Sequence, residues 1–265
     1  MKRLAVLGHP VAHSRSPAMH NAALAELGLG EEWRYEAIDL APDEFERRVR
    51  AMPGEGFVGA NVTVPHKGAA LALADTLSET AREIGAANTL SFEAGEIRAE
   101  NTDAQGLLDA LSSSPAGVRA LVLGAGGAAR AAVWALLRDS ARVDVWNRTA
   151  LRAEHLCEEL GGTPVSDPEQ PAYGLIVNTT AVGLRGEDPF AELPLNEAGF
   201  AAGQTVVDLV YGERSSPLLS AAGSAGATTI DGIEVLVRQG ALSLRMWTEQ
   251  DPPLDTMRTA ARLPD

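Results

Sequence analysis

The sequence has few lysines and almost no cysteine. Of the 22 positively charged residues in 265, only Lys2 and Lys67 are lysines, and Cys157 is the single cysteine. One cysteine excludes an internal disulfide and a cysteine-based metal site, and such cysteine usage is typical of a reducing, cytoplasmic setting. Because arginine supplies nearly every positive charge, the lysine at position 67 needs a specific explanation.

Long apolar runs and a signal sequence are also missing. No stretch approaches the ~18 apolar residues of a membrane-spanning helix, although 45% of the chain is hydrophobic. The start, MKRLAVLGHP, has only a short apolar stretch before Gly8 and Pro10, which is more typical of a buried strand than of a signal peptide. These features predict a soluble globular protein without a membrane partner.

The charge balance is strongly acidic. Asp and Glu outnumber Lys and Arg by 36 to 22, which gives a net charge of −14. This charge argues against nucleic acid as a partner, because a phosphate backbone would be repelled. If the ligand is an anion, local positive groups must oppose the overall field.

Short apolar runs alternate with helical patterns along the chain. This alternation predicts an α/β fold with parallel sheets covered by helices, with a hairpin around Ala94 and Gly95. A helix that ends in serines, Pro115 and Gly117 separates two series of strands, so two domains are expected. The strands of the first series are RLAVLG, RYEAIDL and FVGANVTV, and those of the second are VRALVLG, ARVDVWN, YGLIVNTT, QTVVDLVY and ATTID.

A strand, a glycine turn and an alanine-rich helix follow one another in VRALVLGAGGAARAAVWALL. Gly124 permits a tight turn, Gly126 lets the backbone approach a pyrophosphate, and Ala129 allows close contact between helix and strand. A plain glycine turn is the alternative, but the flanking strand and helix favour dinucleotide binding. The motif consists of Gly124, Ala125, Gly126, Gly127, Ala128 and Ala129.

The end of the next strand indicates which dinucleotide is bound. Enzymes that use NAD place an acidic residue on the ribose hydroxyls about 20 residues after the glycine motif. Here Asn147, Arg148 and Thr149 stand at that point, with Arg152 one helical turn later, while Asp144 comes three residues too early. A guanidinium pair suits a 2′-phosphate. NADP(H) is therefore predicted, a solvated arginine pair being the alternative.

The segment after the first strand, GHPVAHSRSPAMHN, combines a polar loop with histidines. Ser14 and Ser16 precede Pro17, which is expected to open a helix, so their hydroxyls can bind a polar ligand or take part in turns and caps. His13 and the other histidines of this segment lack the spacing of a zinc pair. No metal site is predicted.

Taken together, these segments resemble the shikimate dehydrogenase family over nearly the whole chain. Nine motifs of that family occur in order, including an N-T-D segment, the glycine loop, N-R-T and NTTAVGL. The others are G-x-P-x-x-H-S-x-S-P-x-x-H-N at Gly8–Asn21, N-V-T-x-P-x-K at Asn61–Lys67, A-N-T at Ala87–Thr89, D-x-x-Y at Asp208–Tyr211 and a final D-G-x-x-x-L-x-x-Q at Asp231–Gln239.

The resemblance implies an NADPH-dependent, reversible reduction of 3-dehydroshikimate to shikimate. It also implies that Lys67 and Asp103 are the catalytic pair. The residues implied to hold the substrate are Ser14, Ser16, Asn61, Thr63, Asn88, Tyr211 and Gln239. Those implied to contact the cofactor are Gly124, Ala125, Gly126, Gly127, Ala128, Asn147, Arg148, Thr149, Arg152, Thr179 and Gly232.

The family's architecture implies two domains with a cleft between them. An N-terminal α/β substrate domain is expected from residues 1–101 together with 235–265, and a Rossmann-type NADP domain from residues 102–234. Four positions depart from the family's pattern. Glu213 and Ser216 stand where a proline and a threonine are often found, and Leu184 and Val235 stand where methionine is common.

The last motif can be tested as a helix. DGIEVLVRQGALSLRMWTE, wound at about 100° per residue and capped by Asp231, places Gln239 between Val235, Leu242 and Met246. A buried glutamine amide without a partner is destabilising by ~1–3 kcal/mol. Gln239 is therefore predicted to face the substrate, a satisfied core glutamine being the alternative. The polar face of the helix is predicted to hold Glu234, Arg238, Arg245 and Glu249.

Lys67 has a chemical explanation in this setting. Reduction of a ketone leaves an alkoxide that needs a proton within hydrogen-bond reach; lysine can supply it, whereas arginine does not release a proton. Asp103 would orient Lys67 or, alternatively, merely cap a helix. Competing interpretations are a chance lysine, a quinate or dual-specificity enzyme, and a catalytically silent NADP-binding sensor. A monomer or homodimer is expected.

Overall fold

The computed structural model describes residues 1–212 and 216–263. Its strands are β1 (Lys2–Gly8), β2 (Trp33–Asp39), β3 (Phe57–Val62), β4 (Thr76–Leu77), β5 (Thr89–Glu93), β6 (Glu96–Glu100), β7 (Arg119–Leu123), β8 (Arg142–Trp146), β9 (Thr163–Pro164), β10 (Leu175–Asn178), β11 (Thr205–Asp208) and β12 (Thr228–Asp231).

Helices connect most of these strands. The α-helices are α1 (Ser16–Glu26), α2 (Phe45–Ala51), α3 (Lys67–Leu73), α4 (Glu79–Ile84), α5 (Asp103–Ala110), α6 (Gly127–Arg138), α7 (Ala150–Leu160), α8 (Pro189–Glu192), α9 (Pro217–Ser224), α10 (Gly232–Thr248) and α11 (Leu254–Arg262). Short 3₁₀ helices lie at Met52–Glu55, Gln170–Ala172 and Glu197–Gly199. In the described part of the chain, no helix has both the length and the apolar character that crossing a membrane requires.

The chain divides into two compact units, one of Met1–Gly106 with Leu236–Asp265 and the other of Leu107–Val235. The predicted boundaries placed residues 102–106 in the second unit and residue 235 in the first. In the structure, residues 102–106 belong to the first unit and residue 235 belongs to the second. The backbone N–H of Thr102 donates to Asn88 Oδ1 at 2.7 Å within the first unit, whereas Val235 is buried in the hydrophobic core of the second.

The first unit contains a mixed sheet with strand order β2-β1-β3-β5-β6-β4. Strand β1 runs parallel to β2 and β3, while β5 is antiparallel to both β3 and β6. The predicted hairpin joins β5 to β6, and its turn residues Ala94 and Gly95 have φ values of 51° and 85°. Since β1, β3 and β6 point the same way, their carboxyl ends share one edge of the sheet. The segments that begin after Gly8, Val62 and Glu100 therefore start close together.

The second unit contains a sheet with strand order β12-β11-β10-β7-β8-β9, and every pair in it is parallel. Numbered within the unit, this is the order 3-2-1-4-5-6 of a Rossmann fold. The carboxyl ends of β7 and β10 flank its switch point, where ligands bind in folds of this kind. The small residues Ala129 and Ala132 of α6 are buried in the core with Val122, so the helix packs close to β7.

Candidate active site

Lys67 and Asp103 form an ion pair in the first unit. Lys67 begins α3 after the turn that follows β3, and Asp103 begins α5 after β6. Lys67 Nζ donates to Asp103 Oδ2 at 2.5 Å, and the two side chains are 13% and 18% exposed. Asn101 Oδ1 accepts from the N–H of Ala104 at 3.3 Å, which is a bond of the capping type at the start of α5.

Asn88 holds the second oxygen of that carboxylate. Its Nδ2 donates to Asp103 Oδ1 at 2.9 Å and to Gln239 Oε1 at 3.0 Å. Its Oδ1 accepts from the backbone N–H of Thr102. A backbone N–H can only donate, so this bond fixes which end of the Asn88 amide faces Asp103.

Gln239 is buried on α10 and completes this group. Besides accepting from Asn88, its amide donates through Nε2 to the Leu236 carbonyl at 2.8 Å. This bond uses one of the two N–H groups of Gln239 Nε2. Asp231 accepts from the N–H of Glu234 at 2.9 Å, which confirms the predicted cap of this helix. Met246 is 37% exposed, so the apolar face around Gln239 does not extend to it.

Asn61 lies deeper in the first unit and is 5% exposed. Its Oδ1 accepts from the Tyr35 hydroxyl at 2.8 Å. Its Nδ2 donates to Ser243 Oγ at 2.8 Å and to Thr89 Oγ1 at 3.2 Å. These bonds use both hydrogens of Asn61 Nδ2, whereas the second lone pair of Oδ1 can still accept from a ligand.

The serine loop follows β1. Helix α1 begins at Ser16, one residue before the predicted start, and Arg15 stands at the cap position without a side-chain cap. Neither serine hydroxyl caps the helix; Ser14 Oγ instead accepts from the N–H of Ser16 at 3.3 Å. Ser16 is buried and Ser14 half-buried. Thr63 follows β3 on the same sheet edge and is also half-buried.

The glycine turn of the second unit has the geometry of a phosphate cradle. Gly124 has φ 116°, and a Cβ there would come within 2.5 Å of Thr179 Oγ1. Thr179 Oγ1 in turn donates to the Leu123 carbonyl at 2.7 Å, which joins the ends of β7 and β10. A Cβ on Gly126, the N-cap of α6, would meet nothing within 4 Å. The residues present fit a dinucleotide, because the backbone N–H groups at the start of α6 are open to an anion.

The four residues proposed to select the cofactor surround the start of α7. Asn147 Nδ2 donates to the Thr149 carbonyl at 2.9 Å, and Thr149 is the N-cap of the helix. The Arg148 side chain is 83% exposed, with Nη1 3.8 Å from Glu192 Oε2. Arg152 is exposed. Both guanidinium groups are thus accessible to a phosphate.

Asp144 on β8 makes hydrogen bonds within the second unit. It is buried and accepts from Arg119 Nη2 at 2.7 Å and from the Tyr173 hydroxyl at 2.8 Å. Burial and the bond to Asp144 raise the pKa of the Tyr173 hydroxyl. Both bonds end on Oδ2, so Arg119 and Tyr173 hold the Asp144 carboxylate inside the second unit.

The segment of Tyr211 lies in the second unit. Asp208 at the end of β11 accepts from Asn178 Nδ2 at 2.9 Å and from the N–H of Val210 at 3.1 Å, so it shapes the turn before Tyr211. Burial raises the pKa of Asp208. Gly232 needs its small size, since a Cβ there would lie 2.5 Å from the Leu209 carbonyl oxygen.

Three of the four positions that depart from the family's pattern lie in the described residues. Ser216 Oγ accepts from the N–H of Leu219 at 3.1 Å and so caps α9, while Glu213 lies outside the described residues. Leu184 is 48% exposed and Val235 6%. No group of three metal-ligating side chains occurs in residues 1–212 and 216–263.

Sequence reasoning missed four contributors to the first unit's site. Tyr35, Thr89, Thr102 and Ser243 all contact the amides of predicted site residues. Thr89 and Thr102 belong to the matched A-N-T and N-T-D motifs, which could have marked them. Ser243 stands one helical turn after Gln239, and that spacing is its only signal in the sequence.

Comparison with known proteins decides the family. Three family models match: the shikimate dehydrogenase substrate binding domain at residues 6–90, shikimate / quinate 5-dehydrogenase at 107–171, and the shikimate 5′-dehydrogenase C-terminal domain at 232–262. The chain is 43% identical over 274 residues to the shikimate dehydrogenase (NADP(+)) of Anaeromyxobacter sp. (strain Fw109-5), covering 98% of this chain and 95% of that protein. The chain belongs to the shikimate dehydrogenase family.

Solved structures of shikimate dehydrogenases share the fold. The shikimate 5-dehydrogenase from Thermus thermophilus, in complex with NADP(H) and shikimate, is 44% identical with a TM-score of 0.89, and the match covers 99% of both chains. The shikimate dehydrogenase from Aquifex aeolicus is 35% identical with a TM-score of 0.92, covering 99% of this chain and 98% of that one. The two-domain α/β architecture predicted from the sequence is confirmed.

Proposed function

We propose that this chain catalyses the reversible, NADPH-dependent reduction of 3-dehydroshikimate to shikimate in chorismate and aromatic amino acid biosynthesis. The observation that carries the proposal is the Lys67–Asp103 ion pair, bonded through Asn88 to Gln239. It occurs in a chain that is 43% identical to a shikimate dehydrogenase (NADP(+)) over nearly its full length. Membership of the family indicates which reaction is catalysed. The Lys67–Asp103 pair provides the acid–base chemistry that this reaction needs.

Lys67 is the proton donor in this mechanism. NADPH, when bound, supplies the hydride to the carbonyl carbon of the substrate. The carbonyl oxygen then gains negative charge, and the Lys67 ammonium stabilises it and transfers a proton to it. In the oxidation, neutral Lys67 removes the same proton from the hydroxyl.

Asp103 and Asn88 prepare Lys67 for that transfer. Asp103 Oδ2 accepts from the Lys67 ammonium at 2.5 Å, which orients it. Asn88 occupies the other carboxylate oxygen and prevents the carboxylate from turning away. The other N–H of Gln239 Nε2 serves as a donor to a substrate hydroxyl.

The remaining substrate contacts are assigned to Ser14, Ser16, Thr63, Asn61 and Tyr211. The two serines and Thr63 supply hydroxyl donors to the substrate carboxylate, since they follow strands that end at one sheet edge. Tyr211 is assigned a further contact through its phenol. Hydrogen bonds to a charged group contribute about 1.5–3 kcal/mol each, so hydroxyls suffice without an arginine.

NADP(H) binding is assigned to the second unit. The residues Gly124, Ala125, Gly126, Gly127 and Ala128 would hold the pyrophosphate at the start of α6. Arg148 and Arg152, with Asn147 and Thr149, would hold the 2′-phosphate, and Thr179 and Gly232 would contact the cofactor near the end of the sheet. The exposure of Arg148 supports this use.

Quinate is a second candidate substrate, favoured by the match of residues 107–171 to a shikimate / quinate 5-dehydrogenase model. The test is NADP⁺ reduction by the purified chain with shikimate or quinate, and with NAD⁺ in place of NADP⁺. Turnover of shikimate with NADP⁺ alone supports the proposal, and equal efficiency with quinate assigns dual specificity. No turnover with either substrate would indicate a silent NADP sensor.

We also propose a cytoplasmic location, a monomer or homodimer, and no nucleic acid partner. The single cysteine and the net charge of −14 support the first and last of these. Size-exclusion chromatography with light scattering tests the oligomeric state.

A further inference from the structure

Three hydroxyl groups form a closed triangle inside the first unit. Thr89 Oγ1 and Ser243 Oγ are 2.8 Å apart, and each lies 3.2 Å from Thr102 Oγ1. None of the three residues is more than 4% exposed. We call these residues the hydroxyl triangle.

Each amide of the proposed substrate site is bonded to the hydroxyl triangle. Asn61 Nδ2 donates to Ser243 Oγ at 2.8 Å. Asn88 Nδ2 shares its two hydrogens among Asp103, Gln239 and Thr102 Oγ1, the last at 2.9 Å. The Ser243 hydroxyl also reaches the Gln239 carbonyl, at 3.1 Å. The triangle therefore joins the side chains of Asn61 on β3 and of Asn88 just before β5 to the backbone of Gln239 on α10. The Gln239 amide oxygen Oε1 also lies 3.5 Å from Thr102 Oγ1.

Ser243 is the corner that α10 contributes. With its single proton donated to the Gln239 carbonyl, its lone pairs are left to accept from Asn61 and from Thr89. A buried polar group that loses its partner is destabilising, and such networks respond as units. Without the Ser243 oxygen, Asn61 and Thr89 would turn to the remaining acceptors, which are the oxygens of Asn88 and Thr102.

The orientation of these amides matters for the chemistry. Asn88 presents its NH₂ to Asp103 and to Gln239 only because its oxygen is held by the Thr102 N–H. A competing donor from the Thr89 hydroxyl, which lies 3.3 Å from Asn88 Oδ1, would weaken that arrangement. The Asn61 amide is fixed at its other end by the Tyr35 hydroxyl at 2.8 Å.

We propose that Ser243 is a positioning residue for substrate binding, acting through the hydroxyl triangle on Asn61, Asn88 and Gln239. The inference rests on the proposed function, because it concerns how the same site holds shikimate. Losing one such hydrogen bond corresponds to a ~3- to 10-fold effect. Ser243→Ala should therefore raise the KM for shikimate by that factor and leave the KM for NADP⁺ unchanged.

A matched control lies on the same helix. Thr248 Oγ1 bonds the Leu244 carbonyl at 2.8 Å, the same local pattern that Ser243 makes with Gln239, but it is not part of the hydroxyl triangle. Thr248→Ala should change neither KM. Tyr35→Phe removes only the hydroxyl that holds Asn61 and keeps the aromatic ring, so it tests the network independently if Ser243→Ala does not fold.

The experiment measures kcat, both KM values and urea unfolding for the parent and the three variants. The inference is supported if Ser243→Ala and Tyr35→Phe raise the KM for shikimate selectively while Thr248→Ala does not. It is overturned if the folded variants keep the parent KM and lose only stability, or if Thr248→Ala raises KM equally. A parent without shikimate turnover refutes the proposed function first, and the inference with it.

Discussion

Lys67 Nζ donates to Asp103 Oδ2 across 2.5 Å, although the two residues are 36 positions apart in the chain. Each stands at the first position of its helix, after strands that point the same way. The sheet thus brings a proton donor and its orienting carboxylate together at one edge.

Lys67→Ala should lower turnover by about 10²- to 10⁴-fold, the usual contribution of general acid–base catalysis. The affinity for NADP⁺ should stay unaltered, because the glycine motif lies in the other unit. Lys67→Arg separates charge from proton transfer, since arginine keeps the charge but does not release a proton. If Lys67→Arg turned over within a few-fold of the parent in steady-state assays, Lys67 would be a binding charge only.

Asp103→Asn should also reduce turnover, by about 10²-fold or more. The amide has one oxygen, so it can accept from Lys67 or from Asn88 but not from both, and it carries no charge to hold the ammonium. Shikimate oxidation over a pH range is the measurement. Asp109→Asn, on the same helix, is the control. Parent-like turnover in Asp103→Asn would remove Asp103 from the mechanism.

Arg148→Ala should raise the KM for NADP⁺ about 10- to 100-fold, because one charge-assisted phosphate contact is lost. The KM for NAD⁺ should hardly change, since NAD⁺ has no 2′-phosphate. Arg142→Ala, at the other end of β8, is the matched control. Equal losses for both cofactors would refute the phosphate role of Arg148.

Ser14→Ala and Ser16→Ala should each weaken shikimate binding about tenfold or more, as expected when a hydrogen bond to a charged group is removed. NADP⁺ binding should be retained. Calorimetric titration with each ligand makes the comparison, with Ser224→Ala on α9 as an exposed-serine control. Unchanged shikimate affinity in both variants would show that the loop does not bind substrate.

His20 should make the stability of the chain depend on pH. It is fully buried against Tyr35, with ring centroids 4.2 Å apart, and burial lowers its pKa from 6.5 to about 3. Below pH 6.5 the unfolded chain binds a proton that the folded chain does not. The stability that neutral His20 contributes is therefore complete above pH 6.5 and is lost as the pH falls toward 3. At pH 5 the free energy of unfolding should be lower by about 2 kcal/mol.

Urea unfolding of His20→Phe at pH 7 and pH 5 tests this linkage. The variant keeps an aromatic ring against Tyr35 but has no titrating nitrogen, so its stability should fall less than that of the parent between the two pH values. His155→Gln changes an exposed histidine and should behave like the parent. Equal pH dependence in His20→Phe and the parent would contradict the buried-histidine linkage.

Local patterns were enough for several elements. The strand–glycine–helix motif at Gly124, the hairpin at Gly95 and the cap at Asp231 each depend on residues that are neighbours in the chain, and the structure has all three. The short strands β4 and β9 were not predicted. Each has only two residues, which is too few to show an alternating pattern.

The sequence by itself determined the fold class, the order of the two strand series, and the lysine whose chemistry arginine cannot replace. The fold class, the strand order and the distinctive lysine can all be read from composition, periodicity and turn residues, which are local properties of the chain. The tertiary structure alone decided that Asp103 belongs to the unit of Lys67 and that Ser243 meets Thr89 across 154 positions. Such contacts depend on which strands pair and on where each helix packs. They join residues that are far apart in the chain, and no local periodicity of the sequence predicts them.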